Sequence, residues 1–293
     1  MNITCSSALT KLRRKIPYGW DLNIYRGCTH NCAYCYARYS HDYLGEDDFT
    51  NIFVKTNIAE QLEKELSDPS WKREVINIGG VTDSYQSIEK EHQIMPEVLK
   101  LLIKHKTPAI ISTKSDLILR DFDLIAQLAD ITYVNIASTI TTMDENIRIK
   151  IEPNGSPSTD RFKILKEFRN TNASVGLHTM PIIPLLTDSR ENIENLCIEA
   201  KAANVHYMLP GVLYLRGVTR KYFFDFIKTK FPDKCNAFTE LYQTGGADKT
   251  YKEVLYSEIV NPLREKYGIS NSYMKPMREK LKISDTLDQI VSQ

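Results

Sequence analysis

Short apolar runs alternate with amphipathic stretches through most of this chain. The runs at 22–26, 75–79, 109–112, 132–137, 174–179 and 205–212 have the length and composition of buried strands. Between them, apolar residues recur at helical spacing. Ile58, Leu62 and Leu66 follow Asn57, with Glu60 placed for a capping box, and Met95, Leu99 and Leu102 form a second stripe. Leu124, Ile125 and Leu128 follow Asp121, and Phe162, Leu165 and Phe168 follow Ser158. A fifth helix opens at Asp188, with Glu191 three residues on and Ile193, Leu196 and Ala200 on one face. This alternation predicts a parallel sheet built from right-handed crossovers. Six units fall short of a closed eight-stranded barrel. The expected class is therefore α/β, a partial (β/α)6 TIM-type barrel, with a doubly wound sheet as the competing arrangement. Either one places ligand groups at the C-terminal ends of the strands.

Three segments are expected: an N-terminal tail at 1–20, the barrel core at 21–217 and a helical C-terminal extension at 218–293. In the extension, helical patterns run over 221–230, 233–243 and 250–266, with a break at Gly245-Gly246 and a basic end carrying Lys275, Arg278, Lys280 and Lys282. The 42% hydrophobic and 26% charged content is that of a water-soluble protein with a sizeable core. The early Lys11, Arg13, Arg14 and Lys15 precede no apolar run, so no signal peptide and no membrane partner is expected, and the cytoplasm is the expected location. A net charge of +1 lacks the basic excess of a protein built on nonspecific nucleic-acid binding.

Candidate chemistry enters with Cys28, Cys32 and Cys35, three cysteines on one short stretch. A structural zinc takes four ligands, usually as two separated pairs. Three soft ligands together suit an iron–sulfur cluster in which one iron has no protein thiolate. The competing reading is a Cys3His zinc site completed by His30 or His41. Of the other cysteines, Cys197 falls on the apolar face of a helix, Cys5 in the tail and Cys235 at a helix start.

The stretch 26–38, Arg-Gly-Cys-Thr-His-Asn-Cys-Ala-Tyr-Cys-Tyr-Ala-Arg, resembles the radical S-adenosylmethionine (SAM) enzymes, whose hallmark is C-x-x-x-C-x-aromatic-C after the first strand. Tyr34 holds the aromatic position. Within that superfamily the chain is similar to the spore photoproduct lyase-like group. The resemblance continues through 79–89 (Gly-Gly-Val-Thr-Asp-Ser-Tyr-Gln-Ser-Ile-Glu), 112–115 (Ser-Thr-Lys-Ser) and 120–124 (Arg-Asp-Phe-Asp-Leu). It runs on through 151–153 (Ile-Glu-Pro) and 180–184 (Met-Pro-Ile-Ile-Pro), spanning 21 to 216 in strand order.

The resemblance implies a [4Fe-4S] cluster on Cys28, Cys32 and Cys35, with the amine and carboxylate of SAM on the open iron. Electron transfer into the sulfonium then yields a 5′-deoxyadenosyl radical that abstracts hydrogen from a substrate. It further implies close backbone approach at Gly79 and Gly80, an ammonium acceptor in Asp83 and a carboxylate partner in Lys114. Ser112, Ser138 and Glu152 are placed to bond the amine, ribose or substrate, and Tyr36 to lie against the adenine or donate to it. An external one-electron reductant of the flavodoxin or ferredoxin type is implied. The substrate is unassigned, with nucleic acid among the classes open to it, and His178 is expected to face the cavity.

One departure limits the transfer. Spore photoproduct lyases use an additional cysteine as hydrogen donor, and none lies here between Cys35 and Cys197. Tyr85 and Tyr214 are the candidate substitutes. The alternatives to a radical enzyme of unassigned substrate are a DNA-lesion lyase of the spore photoproduct type and a non-catalytic zinc–cysteine protein. Arg216, Arg220 and Lys221 form a small basic cluster, read as a solvated helix start.

Overall fold

The computed structural model describes residues 1–13, 16, 18–42, 45–46 and 48–281. Arg14, Lys15 and the end from Lys282 onward lie outside the described residues. The strands are β1 (Asn2–Ile3), β2 (Leu9–Lys11), β3 (Trp20–Leu22), β4 (Tyr25–Arg26), β5 (Phe53–Lys55), β6 (Ile76–Ile78), β7 (Ala109–Thr113), β8 (Val134–Thr139), β9 (Ser174–Ile182) and β10 (Tyr207–Val212). Seven of them form one sheet in the order β10-β9-β8-β7-β6-β3-β2. All neighbours are parallel except β2, which runs antiparallel to β3. The six parallel strands make the open, partial barrel that the alternation predicts.

The expected strand 22–26 is two strands. β3 stays in the barrel, whereas β4 turns away and pairs antiparallel with β5 in a small sheet with β1. The expected tail is not free of the fold either, since β1 and β2 each pair into a sheet. Asn57 serves this segment and does not cap its helix. Its Oδ1 accepts from Cys5 N at 2.8 Å and its Nδ2 donates to Cys5 O at 2.9 Å.

The helices crossing between the strands are α1 (Ile58–Leu66), α2 (Ile94–His105), α3 (Phe122–Ile131), α4 (Glu145–Ile151), α5 (Ser158–Phe168) and α6 (Arg190–Ala202). The apolar stripes of all but α4 pack on the outer face of the sheet, where Ile76, Ile78, Ile111, Val134, Ile136, Val175, Leu177 and Met208 join one core, while Ile147 and Ile151 of α4 cluster with Cys32, Ala33 and Tyr34. Asp188 is not the cap of α6; Ser189 is, its hydroxyl accepting from Asn192 N. Beyond β10 come α7 (Gly217–Lys230), α8 (Cys235–Leu241), α9 (Lys249–Val254), a π-helical turn at Leu255–Val260, α10 (Asn261–Lys266) and α11 (Met274–Leu281). Among the described residues no helix is long and apolar enough to cross a membrane.

Alternation along the strands puts the other set of side chains on the inner face. The register aligns Asp21, Asn77, Ile110, Asn135 and Ser174 in one row. Ser112, Ala137, Gly176 and Tyr207 form the next, and Thr139, His178 and Leu209 a third nearer the C-terminal ends. A Cβ on Gly176 would stand 2.0 Å from Cζ of Tyr207, so glycine is what lets that ring lie across the sheet. At the opposite end, Met277 of α11 packs with Val75, Ile110 and Tyr133 and closes the N-terminal mouth.

Candidate active site

The cysteine stretch leaves β4 through Gly27, whose φ of +82° and whose missing Cβ, 2.8 Å from Phe49 O, both require glycine. Cys28 N then bonds Phe49 O at 3.1 Å. Two tight turns follow, Asn31 N to Cys28 O at 3.3 Å and Cys35 N to Cys32 O at 3.2 Å. Asn31 takes the left-handed conformation between them. Cys28 and Cys32 are buried and Cys35 is half-buried. Burial pushes all three thiols up, Cys32 to about 12, and each feels at least one of the others or the Lys114 ammonium. A metal centre that displaces those protons removes the penalty, so these donors are matched to an electron-poor ion or cluster.

Both nearby histidines have partners of their own. His30 Nε2 faces Asp83 Oδ2 at 3.0 Å and its Nδ1 faces Asn154 O at 2.9 Å. His41 gives Nε2 to Asn51 O and packs its ring 5.0 Å from Phe49. Among the described residues no group of three or more His, Cys, Asp or Glu side chains meets around a single ion. The donor set is three thiols on one short loop, soft ligands that suit an iron–sulfur cluster with one iron open.

Asp83 follows β6 through Gly79, at φ +86°, and Gly80, whose Cβ would stand 2.7 Å from Asp21 Oδ2. Its carboxylate is saturated. Oδ1 accepts from Tyr85 N at 2.9 Å and Thr113 Oγ1 at 2.8 Å, while Oδ2 accepts from Lys114 N at 2.8 Å and meets His30. Burial alone would raise its pKa, but the His30 ring and these donors hold it well below the usual carboxylate range. Three donors and the His30 ring thus meet Asp83 in this structure, where it braces the loop against β6 and β7.

The other side of the cysteine loop rests on the segment after α4. Ala33 N bonds Ile151 O at 2.8 Å, and Asn154 Nδ2 donates to Thr29 O at 2.7 Å. Glu152 has no exposed surface. Its Oε1 accepts from Tyr34 Oη and its Oε2 pairs with Arg161 Nη1 at 2.5 Å. Burial opposes its charge, and Arg161 and Lys114 nevertheless hold its pKa below the usual value. Both of its oxygens are engaged by contacts within the chain. Ser138 is also committed, fully buried and donating to Thr113 O at 2.9 Å.

Lys114, Ser112 and Tyr36 remain facing the mouth. Lys114 is half-buried, with Nζ 5.7 Å from the Tyr34 ring centroid, and its ammonium makes no ion pair among the described residues. Ser112 is half-buried on the inner face. Tyr36 is 58% exposed and donates to Gly80 O. His178 lies where expected, on the inner face. Burial, and then the nearby Lys114 charge, pushes its pKa down to about 4, so the ring is neutral at pH 7. Its Nε2 stands 3.4 Å from Tyr207 Oη, which donates to Asn135 Oδ1 at 2.8 Å.

Some motif residues serve elsewhere. Glu89 takes Tyr25 Oη, Ile94 N and Met95 N, and Arg120 clamps it at 2.8 Å, a buried brace under α2. Tyr85 lies in the outer core and Tyr214 is 61% exposed, whereas Tyr207 is on the inner face. Cys197 is buried 3.8 Å from Met208 Sδ, as a core residue. Arg220 donates to Thr244 O and Tyr242 O, and Lys221 pairs with Asp225. Sequence reasoning missed Asn154, Arg161 and Thr219. Thr219, on the first turn of α7, donates to Cys35 O at 3.2 Å, and Arg38 stacks 3.5 Å from the Tyr222 ring centroid while donating to Cys32 O. The helical extension therefore begins as part of the site.

The family model of the radical SAM superfamily matches residues 22–227. The uncharacterized protein Rv2578c of Mycobacterium tuberculosis is 34% identical over 279 residues, covering 92% of this chain and 82% of that protein. The uncharacterized protein MJ0683 of Methanocaldococcus jannaschii is 26% identical over 254 residues, covering 86% and 89%. Among solved structures, a spore photoproduct lyase complexed with dinucleoside spore photoproduct matches with a TM-score of 0.67 at 12% identity, over 91% of this chain and 78% of that one. That last likeness is one of fold. The family match spans more than half of the chain and covers the cysteine loop and every barrel strand from β6 to β10. The protein belongs to the radical SAM superfamily, as a radical SAM enzyme whose cofactors are a [4Fe-4S] cluster and S-adenosylmethionine.

Proposed function

We propose that Cys28, Cys32 and Cys35 hold the cluster and that SAM binds beside it at the C-terminal mouth of the barrel, its carboxylate on Lys114. When bound there, the two cofactors supply a 5′-deoxyadenosyl radical that takes hydrogen from a substrate resting on the inner face. Gly79 and Gly80 leave backbone room for the methionyl end, and Ser112 offers a hydroxyl. Tyr36 covers the opening from the solvent side. Asp83, Ser138 and Glu152 act one step back, fixing the loop and strands that carry these groups. The observation that carries this reading is the half-buried Lys114 ammonium, in no ion pair among the described residues, close to the Cys32 and Cys35 thiols.

A one-electron carrier of the flavodoxin or ferredoxin type supplies the electron. The inner face offers a neutral imidazole, a phenol, an amide and a hydroxyl, which suits a substrate that hydrogen-bonds without carrying its own strong charge. A DNA-lesion lyase of the spore photoproduct type is the second reading, supported by the shared fold. The chain's own residues favour another substrate, because its next cysteine after the triplet, Cys197, is buried on the outer face of the barrel.

Anaerobic reconstitution with iron and sulfide, reduction with dithionite and addition of SAM tests the reading. It expects four irons per chain and release of 5′-deoxyadenosine. Stoichiometric zinc without deoxyadenosine would overturn it. Repair of a dinucleoside spore photoproduct in the same assay would establish the second reading in its place.

A further inference from the structure

Arg161 is the largest side chain buried with essentially no exposed surface among the described residues. A buried guanidinium is costly unless it is paired. Its Nη1 holds Glu152 Oε2 at 2.5 Å and Thr139 O at 2.7 Å, and its Nε holds Ser156 O at 2.8 Å. Room for Nη2 comes from Gly155, whose Cβ would stand 2.3 Å from it. The second oxygen of Glu152 is taken by Tyr34 Oη. Both oxygens of this buried carboxylate are therefore occupied within the chain.

The Lys114 ammonium is near enough to feel both Glu152 and Cys32, yet pairs with neither. In a low-dielectric site an unoccupied carboxylate beside a flexible lysine would draw the ammonium onto itself. We propose that Arg161 is a positioning residue: by saturating Glu152 together with Tyr34, it keeps Lys114 free for the carboxylate of an amino-acid ligand beside Cys32. The inference rests on the cofactor reading above, with SAM as that ligand. One anion clamped between a buried cation and a phenol leaves the second cation available, so the site carries one unspent positive charge facing the mouth.

The test is a rescue experiment on the cluster-loaded chain, with SAM affinity measured anaerobically by equilibrium dialysis. Arg161→Gln leaves Glu152 open to Lys114 and weakens SAM about tenfold or more, the scale of a charge-assisted hydrogen bond. Arg161→Gln with Glu152→Gln removes the competing anion and returns affinity to within about threefold of the parent chain. Tyr34→Phe frees the other oxygen and weakens SAM, and Glu152→Gln restores affinity in that background as well. In the protein without cofactors, 15N NMR of the Lys114 ammonium reports a new ion pair in Arg161→Gln and none in the parent.

A purely structural Arg161 would lower the melting temperature without either rescue. Folded Arg161→Gln that binds SAM like the parent, or a double variant as weak as the single, overturns the proposal. If Arg161→Gln does not fold, the Tyr34→Phe pair decides by the same criterion. A loaded parent chain that binds no SAM overturns the cofactor reading and this proposal with it. Binding without rescue overturns this proposal alone.

Discussion

His30 Nε2 stands 3.0 Å from Asp83 Oδ2, and through this contact the cysteine loop is tied to the turn after β6 and to the backbone of Lys114. Both residues are buried. The other face of the same ring meets Asn154 O, so one imidazole spans the two walls that hold the loop.

Asp83→Ala leaves His30, Thr113 and two backbone N–H groups without their acceptor. Breaking a buried hydrogen-bonded pair by removing one partner destabilises by about 3–5 kcal/mol. The melting temperature of the unloaded protein should fall by about 6 °C or more, and iron retained after reconstitution should drop below one cluster per chain. Asp83→Asn should lose less, because its amide oxygen still accepts from part of the set.

Cys32→Ala should abolish both the cluster absorbance and deoxyadenosine release. Cys197→Ala should leave both intact and cost only the roughly 1 kcal/mol of an ordinary core change. Iron analysis and product chromatography on the two variants separate a donor from a packing residue.

Lys114→Met should raise the SAM dissociation constant by about 10- to 100-fold, the range of a hydrogen bond to a charged group. The cluster itself should still assemble, because Lys114 is no donor to it. Loss of the cluster in this variant would place Lys114 in the loop's stability and not in ligand binding.

The neutral state of His178 fixes the sign of a pH effect. Its folded pKa, about 4, lies below its ordinary value of 6.5. As pH falls from about 6.5 toward 4 the unfolded chain takes up a proton that the folded chain refuses, so this stabilising contribution, full above 6.5, declines across that window and levels off below it. His178→Gln should flatten that part of the stability–pH curve, and NMR of the parent should show an imidazole midpoint well under 6.

Thr219→Val removes the donor to Cys35 O at the start of α7. The expected loss is about 1 kcal/mol in urea unfolding, together with faster removal of iron by a chelator. Unchanged chelation kinetics would mean that the extension merely packs on the core.

The parallel barrel was legible because its strands and helices announce themselves by local periodicity, and β6 to β10 fall on the runs that predict them within a few residues. The split of 22–26 was not legible, since β4 leaves the barrel to join β5, a partner remote in sequence. Asn57 reads as a helix cap from its neighbours alone, but Cys5, far away in the chain, claims its side chain. The same physics separates the site residues. Which residues gather near the cysteines followed from the strand ends and the family resemblance, whereas the hydrogen-bond partners of Asp83, Ser138 and Glu152 lie on other strands, loops and helices and left no local signal. Arg161 carried no sequence signal beyond being a charged residue at a position whose helical neighbours, Phe162 and Leu165, are apolar.

Gly176 beneath the Tyr207 ring sets how deep anything can descend into the barrel. The phenol lies where a methyl group would otherwise project, pinned at its hydroxyl by Asn135, so the cleft ends on an aromatic plane and not on backbone. A molecule entering from the C-terminal ends of the strands would meet that plane before the row of Asn135 and Ser174. The reach of the chemistry is thus measured from a single hydrogen atom on the sheet: a larger residue at 176 would displace the ring, and the reachable positions of any bound molecule would change with it.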